Sequence, residues 1–248
     1  MSGRRRRVHG ASIIAGILGL AVCPRTASAT PCPIDPALDA RPVTAHIPAE
    51  QRLHFIRTSM RAGAHRSRIW AASWGATYGA ASLALFTTAS QLDGPLRRDL
   101  YVGASSALIG VVVRSVSIPK VIRSHRQLER SLRSGQSTCT ALALAESGMR
   151  RSAKSEAFGR SLMLHLGAIV YNVGVGVLLG VGLDRSVSGI RQAAVGMTVG
   201  QIMILTQPVT MVDAAQRYRD GQVSESPPRY LRPLTLHGGG GLSWGGRF

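Results

Sequence analysis

The chain has 248 residues and carries 30 Lys+Arg against 12 Asp+Glu, a net charge of +18, yet it is 45% hydrophobic and only 17% charged. That apolar content excludes a disordered basic tail protein, and three Cys are too few for a disulfide framework. A charged fraction well under the ~25% of ordinary soluble domains points to long uncharged stretches of the kind a bilayer holds.

Residues 1–29 read as a secretory signal. A basic run at residues 4–7 precedes an apolar run at residues 11–22, too short to cross a bilayer, and Ala27-Ser28-Ala29 supplies a small-residue cleavage site before Thr30. Leu20-Ala21-Val22-Cys23 resembles a lipoprotein signal, but Val22 stands where a small residue is required, which argues against lipidation at Cys23. An exported N-terminal arm follows over residues 30–68. Pro48-Ala49-Glu50 marks a helix start, and Leu53, Ile56 and Met60 then line one face, with Arg57, Arg61 and Arg68 on a neighbouring stripe. No breaker separates this helix from Ile69, so one long helix is expected to run on into the membrane.

Four stretches nearly free of charge come next: residues 69–90, 100–118 (with Arg114), 161–183 and 193–212. Each is long enough to cross ~30 Å of hydrocarbon as a helix. The expected fold is therefore all-α: a polytopic membrane protein with four transmembrane helices in two helical hairpins, after a cleaved signal peptide. The first hairpin covers residues 69–118 and turns at Asp93-Gly94-Pro95; the second covers 161–212 and turns near Ser188-Gly189. Between them, residues 119–160 form a basic helical connector. In it Val121, Leu128 and Leu132 make an apolar face surrounded by Lys120, Arg123, Arg126, Arg130 and Arg133, with Gly135 as a stop, a pattern suited to anionic headgroups. Residues 213–248 read as a flexible tail rich in Gly and Pro. Gly75 with Gly79, Gly176 with Gly180, and Gly196 with Gly200 stand four apart, the spacing that lets helices approach closely in a membrane.

Topology contains a conflict. A cleaved signal puts Thr30 outside the cytoplasm. The segments then outside hold 20 Lys+Arg, against four in the two inner loops, opposite to the positive-inside tendency. The signal decides here, because translocation starts there. It places the protein in a bacterial-type envelope, in the inner membrane, with Cys32 and Cys139 on one oxidising side where they are able to pair.

No catalytic set assembles. Gly241-Leu242-Ser243-Trp244-Gly245 matches G-x-S-x-G, but only three residues follow it and none is acidic or His. No Walker A, C-x-x-C or H-E-x-x-H is present, so neither a cofactor nor a metal is expected. The polar residues within the apolar stretches are the candidate site: His165 with Asn172 seven residues on, the adjacent Tyr171, Arg114 near one end of the second stretch, and Gln207 beside Pro208 in the fourth. The expected role is non-enzymatic, an organising protein that contacts anionic lipid headgroups and either further copies of itself or other membrane proteins, and not nucleic acid. The alternative is a subunit of an oligomeric channel or transporter, with His165 and Asn172 along a polar path.

Overall fold

A computed structural model describes residues 32–38, 42–116, 119–223, 234–236 and 239–241. The expected signal and Cys23 lie outside the described residues. The described chain is helical apart from one short ribbon: α1 (Pro42–Ala45), α2 (Ala49–Ser90), α3 (Pro95–Val116), α4 (Lys120–Arg133), α5 (Thr138–Gly159), α6 (Leu162–Val177), α7 (Ser186–Leu205) and α8 (Thr210–Arg219). A wider turn at Leu178–Gly182 prolongs α6. In the expected tail, β1 (Leu234–Leu236) pairs antiparallel with β2 (Gly239–Gly241), Leu234 opposite Gly241.

The 42-residue α2 joins the basic arm to the first apolar stretch without a break. Pro48 stands just before it and Glu50 in its first turn, where an acid suits the positive helix end. It ends where Gly94, at φ +76°, makes the reversal and Pro95 opens α3 with its φ already helical. After α4 the same device recurs at Gly135, φ +70°. Ser137 then caps α5 by accepting the Thr140 N–H at 3.3 Å.

Two regions result, with different surfaces. The first half of α2 packs with α4, α5 and α8 around Phe55, Ile56, Met60, Leu128, Leu142, Met149, Met211 and Tyr218, all buried. We call this the head. The remaining helices form two hairpins, α2 with α3 and α6 with α7. Their apolar side chains point outward. Apart from Val43 and Phe158, every exposed large apolar residue among those described lies within 69–113 or 162–205, with Leu162 and Ile190 each 71% exposed.

Two of the four expected crossing segments, Leu162–Gly182 and Ser186–Arg219, are long and apolar enough to cross a membrane. In the second, the straight helix is α7; the chain breaks after Leu205 and α8 folds into the head. Residues 69–90 are diluted by Ala, Ser, Thr and Gly, and α3 carries Arg97, Arg98, Asp99 and Arg114, which explains why these two fall short. The tail also begins later than expected: Thr210–Arg219 is helix, with Tyr218 fully buried.

The glycine pairs separate by environment. A Cβ on Gly176 would meet Ala193 Cβ and the Gly189 carbonyl at 2.8 Å, and one on Gly196 would collide with Asn172. Gly200 faces Ala168, and Gly180 approaches Ser186, each at 3.6 Å. Gly75 and Gly79 have nothing within 4 Å. Gly189, which the sequence presents as a turn residue, is the tightest backbone contact of the hairpin: its Cβ would strike the Gly176 carbonyl and lie 2.8 Å from Gly180 N. Gly189→Ala is therefore expected to destabilise the α6–α7 hairpin by about 1–3 kcal/mol, since backbone cannot yield as a side chain does. Gly75→Ala is expected to be neutral or to stabilise by up to ~1 kcal/mol through helix propensity. Thermal unfolding of both variants in one detergent reads the two opposite signs.

Candidate functional site

The five polar residues singled out from the sequence do not converge on one cavity. His165 Nδ1 bonds Gln201 Oε1, and Gln201 Nε2 donates back to the His165 carbonyl at 3.4 Å. Asn172 is buried, donates to the Ala168 carbonyl at 2.7 Å and packs on Gly196. Both thus lie along the α6–α7 seam. Tyr171 turns instead towards α3, where its hydroxyl pairs with that of Ser106 at 3.2 Å. Gln207 sits at the head end, against Gly159, and its carbonyl accepts from Arg160 at 2.7 Å. Arg114 belongs to α3, but its side chain lies outside the described residues.

Other polar contacts fasten the two hairpins to each other at both ends. Near the head, the indole N–H groups of Trp70 and Trp74 both donate to Thr206 Oγ1, at 3.3 and 3.2 Å. At the far end, Asp99 accepts from Arg185 at 2.9 Å and from Ser188 at 2.6 Å.

Inside the head lies a buried ionic knot. Arg52 is 1% exposed, Glu146 and Tyr218 0%. Arg52 Nε donates to the Tyr218 hydroxyl at 2.7 Å, its Nη1 to the Cys32 carbonyl at 3.0 Å, and its Nη2 to Glu146 Oε1, which also accepts from Tyr218. Glu146 Oε2 takes the Asp35 N–H at 2.7 Å, and Arg150 donates to Asp35 at 3.2 Å. Cys32 and Cys139 are joined by a disulfide, with Cα atoms 5.2 Å apart. Burial, then the bond to Glu146, pushes the Tyr218 hydroxyl well above its ordinary pKa. Every charged atom here is answered, which suits a clamp on the N-terminal segment. Sequence reasoning missed Arg52 and Glu146; the one available signal was an acid on the inner face of α5 in a chain with few acids.

A basic cleft of about 460 Å³ opens on the other side of α2, lined by Thr58, Arg61, Ala62, Ala64, His65, Arg68 and His125. Glu129, on α4, is the acid beside it, and both its oxygens are taken by Arg57 at 2.7 Å. His125 Nδ1 lies 4.0 Å from Glu129 and has no hydrogen-bond partner among the described residues. Burial lowers the His125 pKa; Glu129 opposes this, while Arg61, Arg68 and Arg57 add to it. Among the described residues no three His, Cys, Asp or Glu side chains gather as a metal would require.

No protein-family model, curated protein or solved structure matches this chain.

At the junction of head and hairpins, Glu156 on α5 accepts the Met211 and Val212 N–H groups at 2.7 and 3.3 Å and so caps α8. Burial raises its pKa to about 7; the two backbone bonds and Arg160 pull it down, and Asp213 pushes it up. A carboxyl whose folded pKa is raised stabilises the fold below its unfolded value near 4.5 and loses that contribution as pH rises through about 7. The scale is about 3 kcal/mol. Wild-type thermal stability should therefore fall between pH 5 and 7, in the window these values define. Glu156→Gln keeps an acceptor for α8 but cannot ionise, and should flatten that fall. A decline that persists in the variant would assign it to another group.

Proposed function

We propose that this chain is an integral envelope membrane protein with four crossing helices and a disulfide-clamped basic head, acting as a non-enzymatic organiser that contacts anionic lipid headgroups and partner membrane proteins. The observation that carries the reading is the surface division: outward apolar side chains are concentrated in residues 69–113 and 162–205, while the ion pairs Arg52–Glu146, Arg57–Glu129 and Arg150–Asp35 belong to the head. Side chains such as Leu162, Ile190 and Val181 cost little against lipid and much against water.

Residues 69–90 enter the bilayer on this reading although they are diluted, because lipid-facing helices also pack through small residues. At ~1.5 Å per residue the stretch extends about 33 Å, matching the hydrocarbon thickness. Trp70 and Trp74 stand at its head end, where aromatic rings with an N–H favour the membrane rim. The pairing of His165 with Gln201 and the packing of Asn172 on Gly196 support a structural seam within one hairpin.

The Cys32–Cys139 disulfide supports a head on the oxidising side of the membrane. A membrane-impermeant maleimide on intact spheroplasts should label these cysteines only after reduction; labelling that requires lysis of the membrane would invert the orientation. Headgroup contact has its own test. The full chain in nanodiscs should unfold at a higher temperature when phosphatidylglycerol is mixed with phosphatidylcholine than in phosphatidylcholine alone, and equal unfolding temperatures would remove the headgroup role.

A further inference from the structure

We propose that the cleft between α2 and α4 is a binding site for one phosphate group, the headgroup phosphate of an anionic phospholipid, gripped by Arg61, His65 and Arg68 and bounded by His125. This rests on the membrane reading above and adds a defined site to it.

Four observations converge. Arg61, His65 and Arg68 stand at i, i+4 and i+7 on α2, so their side chains share one helix face over two turns. His125 borders the same cleft from α4, with its buried Nδ1 turned to within 4.0 Å of Glu129. Arg61, His65 and Arg68 make no hydrogen bond or ion pair among the described residues, and the neighbouring carboxylate, Glu129, has both its oxygens bonded to Nε and Nη2 of Arg57. Arg68 lies one residue before Ile69, where the exposed apolar surface begins, and two before Trp70.

The chemistry suits phosphate. Guanidinium groups present N–H donors in a planar fork that matches two phosphate oxygens, and they stay charged at any physiological pH. A third donor, the Thr58 hydroxyl, lines the same cleft. Its volume of about 460 Å³ holds more than a bare anion and leaves room for the glycerol part of a headgroup. Its height along α2 matters as well. A phosphate bound there sits at the end of the apolar stretch, where the phosphates of a bilayer lie, so the acyl chains would continue along residues 69–90.

The shared chemistry of a free anion and a lipid is separated by experiment. Full-length protein in detergent is titrated with phosphatidylglycerol, with phosphatidylcholine or with inorganic phosphate, and bound species are counted by native mass spectrometry. The wild type is expected to retain one phosphatidylglycerol in preference to phosphatidylcholine. Arg61→Gln with Arg68→Gln should weaken that retention on the order of tenfold per lost guanidinium. Both side chains are exposed, so the double variant is expected to fold, and its unfolding temperature without lipid checks this. Arg151→Gln with Lys154→Gln removes the same charge from exposed positions on α5 and should leave retention unchanged.

Equal loss in both double variants would reduce the effect to general charge attraction and overturn the site. Undiminished retention in Arg61→Gln/Arg68→Gln would overturn it too. Inorganic phosphate that competes as well as the lipid would replace the lipid with a soluble phosphate. Lipid dependence in nanodiscs that survives loss of the cleft arginines would leave headgroup contact standing while this site fails.

Discussion

The head depends on one buried charge. Arg52 has no access to water, so its guanidinium must be answered within the protein, and Glu146, Tyr218 and the Cys32 carbonyl answer it. Those partners come from α5, α8 and the N-terminal segment, and a single side chain on α2 therefore fixes the positions of three other parts of the chain. Removing one member of such a pair leaves the other charged and buried, which typically costs 3–5 kcal/mol, about the scale of a small domain's whole stability. The disulfide at Cys32 restrains the same segment from the other side. With α5 and α8 held against α2, α4 is left to pack on the remaining face, and the basic cleft forms along that line.

The hairpins follow a different logic. Their interior contacts are small residues and neutral hydrogen bonds, not a large apolar core. Gly176, Gly189 and Gly196 let α6 and α7 approach until a backbone carbonyl or an Asn side chain fills the space of a missing Cβ. The two hairpins are then tied at the ends, by Thr206 under two indoles and by Asp99 under Arg185 and Ser188. On the proposed arrangement both ties fall at the membrane rims, where polar groups are cheapest to desolvate.

Much of the helical plan was legible because it is local. Period, charge runs and breakers placed the starts of α2, the join of α2 to its apolar stretch, the basic α4 and its stop at Gly135. What the sequence hid was non-local or degenerate. Arg52 and Glu146 are 94 residues apart, and nothing in either neighbourhood names the other. Gly75 and Gly79 share the spacing of Gly196 and Gly200, yet face open space, since spacing cannot say which side of a helix meets a neighbour. Helix α8 was concealed by its polarity. Its only marks were Pro208 before it, Asp213 in the first turn and Arg217 with Arg219 in the last. The basic cleft was half visible: the Arg stripe on α2 could be read, but not that His125 of α4 would face it.

The unbroken α2 has a mechanical consequence. On the four-crossing arrangement, the helix that carries Arg52, Arg57 and Arg61 is a single rod about 63 Å long at ~1.5 Å per residue, and its other end, Ser90, reaches the opposite surface. A helix answers a thinner bilayer by tilting. Because no hinge interrupts this one, the tilt cannot be absorbed at the rim and must swing the head through the same angle. On that arrangement the protein would be a lever with its fulcrum in the lipid, converting membrane thickness into the height and attitude of a positively charged surface.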